Sequence, residues 1–149
     1  MIDLDANRLK QAKELGATHI INSGDEDAVK KIMSETKDGV DVAIEAVGAP
    51  ATFDICQHIV RPGGHLANIG VHGHAVNLEI QNLWIQNITI TMGLVNTNTT
   101  PMLLKTVQSG KIRPQELITH RFKLEEIIKA YGVFGNAAEE KALKIILSN

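Results

Sequence analysis

An acid and a base five residues apart, Asp3 and Arg8, open the chain's chemistry. Met1 and Ile2 read as the tail of a buried strand, Asp3 falls where that strand should end, and a helix starts at once with Ala6, Asn7 and Arg8. A carboxylate at the carboxyl end of such a strand can accept hydrogen bonds from both hydroxyls of an adenosine ribose and repels a 2′-phosphate, a preference for NAD over NADP. The plain alternative is a solvated acid or a helix N-cap, a part Asp5 can also play. Arg8 lies one helical turn past the cap, within reach of the same ribose; alone, it is an ordinary surface arginine. The sequence leaves both readings open.

Two further stretches, "EAVG" (residues 45–48) and "NIGV" (residues 68–71), are strand ends followed by glycine. Glycine there lets backbone approach a planar ring, and in doubly wound sheets ligands lie across the carboxyl ends of the strands. Taken singly, each is only a turn glycine; at two successive strand ends they suggest a cofactor crevice. The histidines of "VHGH", His72 and His74, invite a metal reading, but zinc needs a third ligand and none is evident nearby. His19, His58, His65 and His120 read as strand-edge or helix-surface residues without an acid or nucleophile at motif spacing. Cys56, the single cysteine, falls on the buried side of an amphipathic helix, where a thiol is a small hydrophobe, and it excludes an internal disulfide. No nucleophile elbow, zinc-protease motif or P-loop occurs.

The elements that must carry these residues alternate. Apolar spacing predicts helices over residues 6–15, 25–36 and 51–60, the second with acids in its first turn, and strands over 18–22, 40–48, 65–71 and 87–95, with "RPGG" as a turn. Strands alternating with helices imply a parallel sheet with crossover helices. After Asn96 the rhythm changes. A helix over 101–109, a short strand near 118–122, a helix from 124 and the closing "ALKIIL" do not read as another βαβ unit. The expected organisation is therefore 1–95 as a nucleotide-binding domain and 96–149 as a segment packing elsewhere, with "NTNTTP" at the join.

Bulk properties agree. A chain of 149 residues suits one domain or pieces of two. With 44% hydrophobic and 21% charged residues and a net charge of −2, it has no basic footprint for nucleic acid, and 3% aromatics gives few stacking platforms. No apolar run reaches membrane length, and a cytoplasmic location is expected.

"IDLDANRLKQAKELGATHIIN", "GVDVAIEAVG", "RPGGHLANIGV", "ITITMG" and "ALKIIL" stand in an order that resembles the second half of a zinc-containing, medium-chain alcohol dehydrogenase, and the resemblance covers essentially the whole chain. It implies an α/β fold: an incomplete Rossmann-type doubly wound parallel sheet lacking its first strand, then a return into the catalytic domain. Asp3 would bind the adenosine ribose with support from Arg8. Ala46, Val47 and Gly48 would line the adenine and ribose crevice. Ile69, Gly70 and Val71 would face the nicotinamide, and Leu94, Val95 and Asn96 would offer backbone groups to its carboxamide. Lys144 falls where the family often has an arginine near the pyrophosphate, keeping charge without bidentate geometry. The family's zinc ligands, proton relay and glycine-rich turn would lie upstream of Met1, so zinc is expected only in the full-length enzyme and no catalytic residue is expected here. The resemblance also implies a small alcohol or aldehyde substrate and dimerisation near "ITITMG".

Loss of the central strand would leave two inner edges open to pairing, so a strand-swapped homo-oligomer is expected. Loss of the glycine-rich turn would remove about three backbone contacts to the pyrophosphate, roughly 4–5 kcal/mol or a thousandfold in NAD affinity. The chain alone is expected to be inactive. A non-catalytic relic or interaction module and part of a metal-free quinone-type reductase are the competing readings.

Overall fold

The computed structural model describes all 149 residues, which gather into two compact units: Ser23–Val95, and Met1–Asn22 together with Asn96–Asn149. No helix is long and apolar enough to cross a membrane.

The Ser23–Val95 unit is a parallel three-stranded sheet, β3 (Val40–Glu45), β4 (Val60–Asn68) and β5 (Thr89–Met92), in the order β3-β4-β5. Helices α2 (Ala28–Glu35) and α3 (Pro50–Ile59) precede and follow β3, and a single turn, α4 (Ile80–Leu83), precedes β5. Helix α2 starts later than the spacing predicts, because Asp27 caps it by accepting the Lys30 N–H at 3.0 Å; the preceding acids stay outside. Pro50 opens α3, where its missing N–H costs nothing. The α3 residues Phe53, Cys56 and Gln57, three and four residues apart on a single stripe, are buried with Ala43, Leu66 and Val60 of the sheet. Alternation along β3 buries Ala43 and Glu45 and turns Val42 and Ile44 outward, 51% and 61% exposed.

Two expected strand limits shift for visible reasons. Val40 pairs with Val60 and Val42 with His65, so "RPGG" is a bulge within β4 rather than a turn before it. Asn87 holds a left-handed conformation (φ 53°), so β5 begins only beyond it.

In the other unit β1 (Ile2–Asp3) and β2 (Ile21–Asn22) pair in parallel around α1 (Ala6–Glu14). The chain continues through α5 (Thr100–Gln108), β6 (Ile118–Lys123), α6 (Ile127–Gly135), α7 (Ala137–Glu140) and β7 (Lys144–Ser148). Asn7 of α1 donates to the Ala138 carbonyl at 3.3 Å, one of the ties between these distant segments. β6 and β7 are parallel and joined through helices, so residues 118–148 are a βαβ unit after all, contrary to the sequence reading. Each piece was expected, but the parallel pairing that joins them, Ile118 with Lys144 through Lys123 with Ser148, is a long-range fact.

Candidate functional site

Ladder register levels the three strand ends of the Ser23–Val95 unit. Glu45 pairs with Asn68, and Asn68 with Met92. The chain therefore leaves the same edge of the sheet three times, into Ala46, Val47 and Gly48, into Ile69, Gly70 and Val71, and into Gly93, Leu94 and Val95. Eight of the expected cofactor residues stand in this row. Their large side chains are free of the core: Val47, Ile69, Val71, Leu94 and Val95 are all exposed, Leu94 by 92%. These apolar groups stand in water at the carboxyl ends of parallel strands, the edge along which ligands of doubly wound sheets lie.

Beneath the row lies a residue the sequence reading passed over. Glu45 is 1% exposed. Its Oε1 accepts the Val47 and Gly48 N–H groups, both at 2.9 Å, and the Thr52 hydroxyl at 2.6 Å. Its backbone carbonyl accepts the Ile69 and Gly70 N–H groups at 2.8 and 3.1 Å, which ends β4 at Asn68 and folds the second loop back over the first. Burial pushes the carboxyl up, but the bonds from Thr52, Gly48 and Val47, with the nearby His72, outweigh it and hold the group below its usual range. The signal was a strand-terminal acid two residues before a glycine loop; its burial depends on α3 and the second loop, far away in sequence.

The glycines have a second reason to be glycine. Gly48 holds φ +86°, and a Cβ there would lie 2.2 Å from the Val71 carbonyl oxygen; one on Gly70 would lie 2.2 Å from Glu45 Oε2 and 2.3 Å from the Gly48 nitrogen. The two loops interlock backbone against backbone.

In the Met1–Asn22 and Asn96–Asn149 unit, Asp3 and Asp5 divide the roles left open above. Asp5 is the N-cap of α1, accepting from Asn7 and Arg8 at 2.7 and 3.2 Å. Asp3 is not a helix cap; its Oδ1 accepts the Asp5 N–H at 2.9 Å, and the Arg8 guanidinium stands 3.9 Å from that oxygen. Asn96 accepts the Asn98 N–H at 2.9 Å and caps a short 3-10 turn. Lys144 opens β7 and borders an apolar hollow of about 270 Å³ with Tyr131, Phe134 and Leu147.

"VHGH" does not form a metal pair: His72 Nε2 turns to Asn68 Oδ1 at 2.8 Å and Glu45 Oε2 at 3.2 Å, and His74 is exposed. The structure does assemble one potential donor set that spacing missed, Asp54, His58 and Glu79, with ligand atoms within 4.8 Å of one another. His58 lies one turn after Asp54 on α3, its Nδ1 2.8 Å from the Asp54 backbone oxygen, and Glu79 Oε2 accepts from Asn82. One imidazole and two carboxylates already engaged by the protein do not fit a zinc-dehydrogenase centre, and no step is assigned to a metal here. Cys56 contributes nothing to it: burial, then the Glu45 charge, push its thiol up to about 11.

Leveled parallel strand ends with interlocked glycine loops define a protein of the Rossmann-like α/β class. Residues 1–109 match the family described as Zinc-binding dehydrogenase, and the chain belongs to that family. It is similar to an alcohol dehydrogenase of Cupriavidus necator, 30% identical over 98% of this chain and 41% of that protein. It is also similar to a sorbitol dehydrogenase of Bacillus subtilis, 36% identical over 83% of this chain and 36% of that protein. Among solved structures, the apo form of a zinc-dependent alcohol dehydrogenase 2 from Streptococcus pneumonia superimposes with a TM-score of 0.94 at 56% identity, covering 100% of this chain and 44% of that one. The chain thus corresponds to the Rossmann-like C-terminal part of the zinc-type medium-chain alcohol dehydrogenases and spans about two fifths of the length of those relatives.

Proposed function

We propose that this chain supplies the cofactor-holding part of an NAD-dependent, zinc-assisted alcohol dehydrogenase, which moves a hydride reversibly between an alcohol and NAD. The observation that carries the reading is the row of interlocked glycine loops and exposed apolar side chains at three leveled strand ends. On this reading Val47 and Gly48 line the adenine and ribose side, and Ile69, Gly70 and Val71 support the nicotinamide. Leu94 and Val95 in this unit, and Asn96 in the other, offer backbone groups to its carboxamide. Asp3, with Arg8 beside it, accepts the adenosine ribose hydroxyls, and Lys144 supplies positive charge toward the pyrophosphate. Bound NAD is the hydride acceptor; this chain's residues hold and orient it, and the metal belongs to the rest of the whole enzyme. The chain by itself does not turn over alcohol on this reading. Self-association is part of the same proposal, because β3 and β5 are edge strands with exposed Val42, Ile44 and Met92 beside unpaired backbone.

Calorimetric titration with NAD and with NADP tests it. The expected result is NAD bound and NADP rejected, with Asp3→Ser weakening NAD about 10–100-fold, the worth of hydrogen bonds to a charged acceptor. Since the expected affinity is only near millimolar, no binding of either well above that concentration, or equal binding of both, would overturn the reading.

A further inference from the structure

The carboxylate that the cofactor reading leaves without a task is Glu45. Withdrawing an ionised group from water is costly unless donors replace the water. Glu45 meets that condition with the Val47 and Gly48 N–H groups of the first loop and the Thr52 hydroxyl on Oε1, while its backbone carbonyl separately accepts two N–H groups of the second loop. Its other carboxylate oxygen, Oε2, is buried without a hydrogen bond and faces His72 Nε2 at 3.2 Å. That nitrogen also lies 2.8 Å from Asn68 Oδ1. With Asn68 Oδ1 as the acceptor, Nε2 donates to it, and Oε2 stands beside the same nitrogen as a close electrostatic contact without a hydrogen bond. Asn68 in turn donates to the Gly70 carbonyl at 3.4 Å, and Phe53, buried in α3, meets the imidazole edge-on with centroids 6.0 Å apart. Residues 68–72 are thus closed on themselves and anchored to one buried anion.

We infer that Glu45 and His72 are positioning residues of the cofactor crevice, Glu45 holding the first glycine loop by its carboxylate and the second by its backbone carbonyl, and His72 serving as the latch that keeps the second loop against that carboxylate. Neither touches cofactor; each acts through the backbone it fixes. Thr52, whose hydroxyl bonds Oε1, sets the carboxylate rotamer from the first turn of α3. The inference rests on the reading that these loops hold a dinucleotide, but its first readout needs no ligand.

The test is amide hydrogen exchange on the full chain, residue by residue, for wild type, His72→Ala, His72→Gln and Glu45→Gln, with NAD affinity measured alongside. In His72→Ala the Ile69 and Gly70 amides are expected to exchange about tenfold faster, as loss of the bond to Asn68 and of the contact with Oε2 implies, while Leu66 and Ile90 in the strands stay as in wild type. His72→Gln, which keeps an N–H donor, is expected to restore most of the protection. NAD affinity should follow the loop amides and not the strand amides. Should Glu45→Gln fail to fold, Thr52→Val removes a single bond to Oε1 and is expected to raise exchange at Val47 and Gly48. Exchange of the loop amides within twofold of wild type in His72→Ala would overturn the inference. So would an equal rise across β3, β4 and β5, or a His72→Gln variant as damaged as His72→Ala. A wild-type chain that binds no NAD would count against the dinucleotide reading while exchange still decides whether Glu45 and His72 order the loops.

Discussion

Replacing Gly48 by alanine probes the interlock directly, and its cost can be worked from the geometry. An alanine at φ +86° carries a left-handed backbone penalty of about 1–2 kcal/mol. Its Cβ would meet the Val71 carbonyl oxygen at 2.2 Å and the Val71 carbonyl carbon at 2.5 Å, against an ordinary contact of 3.4 Å or more. Both obstacles are backbone, so no side chain can swing away and the loops must part by about an ångström. A shift of that size strains the two 2.9 Å bonds from Val47 and Gly48 to Glu45. Losing one bond to a charged, buried acceptor costs about 1.5–3 kcal/mol. The expected total is about 3–5 kcal/mol, a large share of a domain's net stability. Urea unfolding followed by far-UV circular dichroism measures it, with two controls in the same unit. Gly63→Ala has positive φ (+73°) but its Cβ meets only Arg61 Nη1 at 3.7 Å, so it reports the backbone penalty alone; Gly73→Ala meets nothing within 4 Å. A Gly48→Ala chain no less stable than Gly63→Ala would refute the argument that the loops interlock.

Two other outcomes follow from the buried groups. Glu45 ionises below a carboxyl's usual 4.5 in the folded chain, so its contribution is present above pH 4.5 and is lost as pH falls through the lower folded value. Stability measured from pH 7 downward should therefore fall below pH 4.5, and that component should be absent in Glu45→Gln; an identical acid limb in the two chains would contradict it. Cys56, buried with its thiol raised to about 11, should resist iodoacetamide at pH 8 and react quickly once urea unfolds the chain, and a native rate matching the unfolded one would show the burial to be wrong.

How much of this was legible beforehand depends on the range of the interactions concerned. Asp5 as a cap, the parallel alternation and the glycine-ended strands at 45–48 and 68–71 are set by neighbours within a few residues, and pattern reveals them. The limits of β4 and β5 were misplaced because they depend on partners: the jump from Val60 to His65 against β3, and the left-handed Asn87. The closing βαβ unit was missed although its strand, helix and closing apolar run were each read, because only the parallel pairing of β6 with β7 makes them one unit. His58 was read without an acid nearby, although Asp54 stands one helical turn before it and Glu79 reaches it only through the fold.

Glu45 shows why a site can be visible in sequence while its support is not. "EAVG" displays a strand, an acid and a glycine, and the glycine alone suggests a ligand loop. Yet Gly48 faces the Val71 backbone and Gly70 faces Glu45, so each glycine answers to the other loop as much as to any ligand. The acid itself was given no role, and charged residues are rarely buried unless they are paired. Its hydrogen-bond donors are the Val47 and Gly48 N–H groups and Thr52, seven residues on, but the cover over its other oxygen, Gly70 and His72, comes from the second loop more than twenty residues away. That dependence runs in both directions. The anion needs the loops to be tolerated in the interior, and the loops need the anion to turn where they do. A substitution in any of Glu45, Gly48, Gly70 or His72 should therefore be felt by the other three, with non-additive costs of the kind that neighbours in one network show.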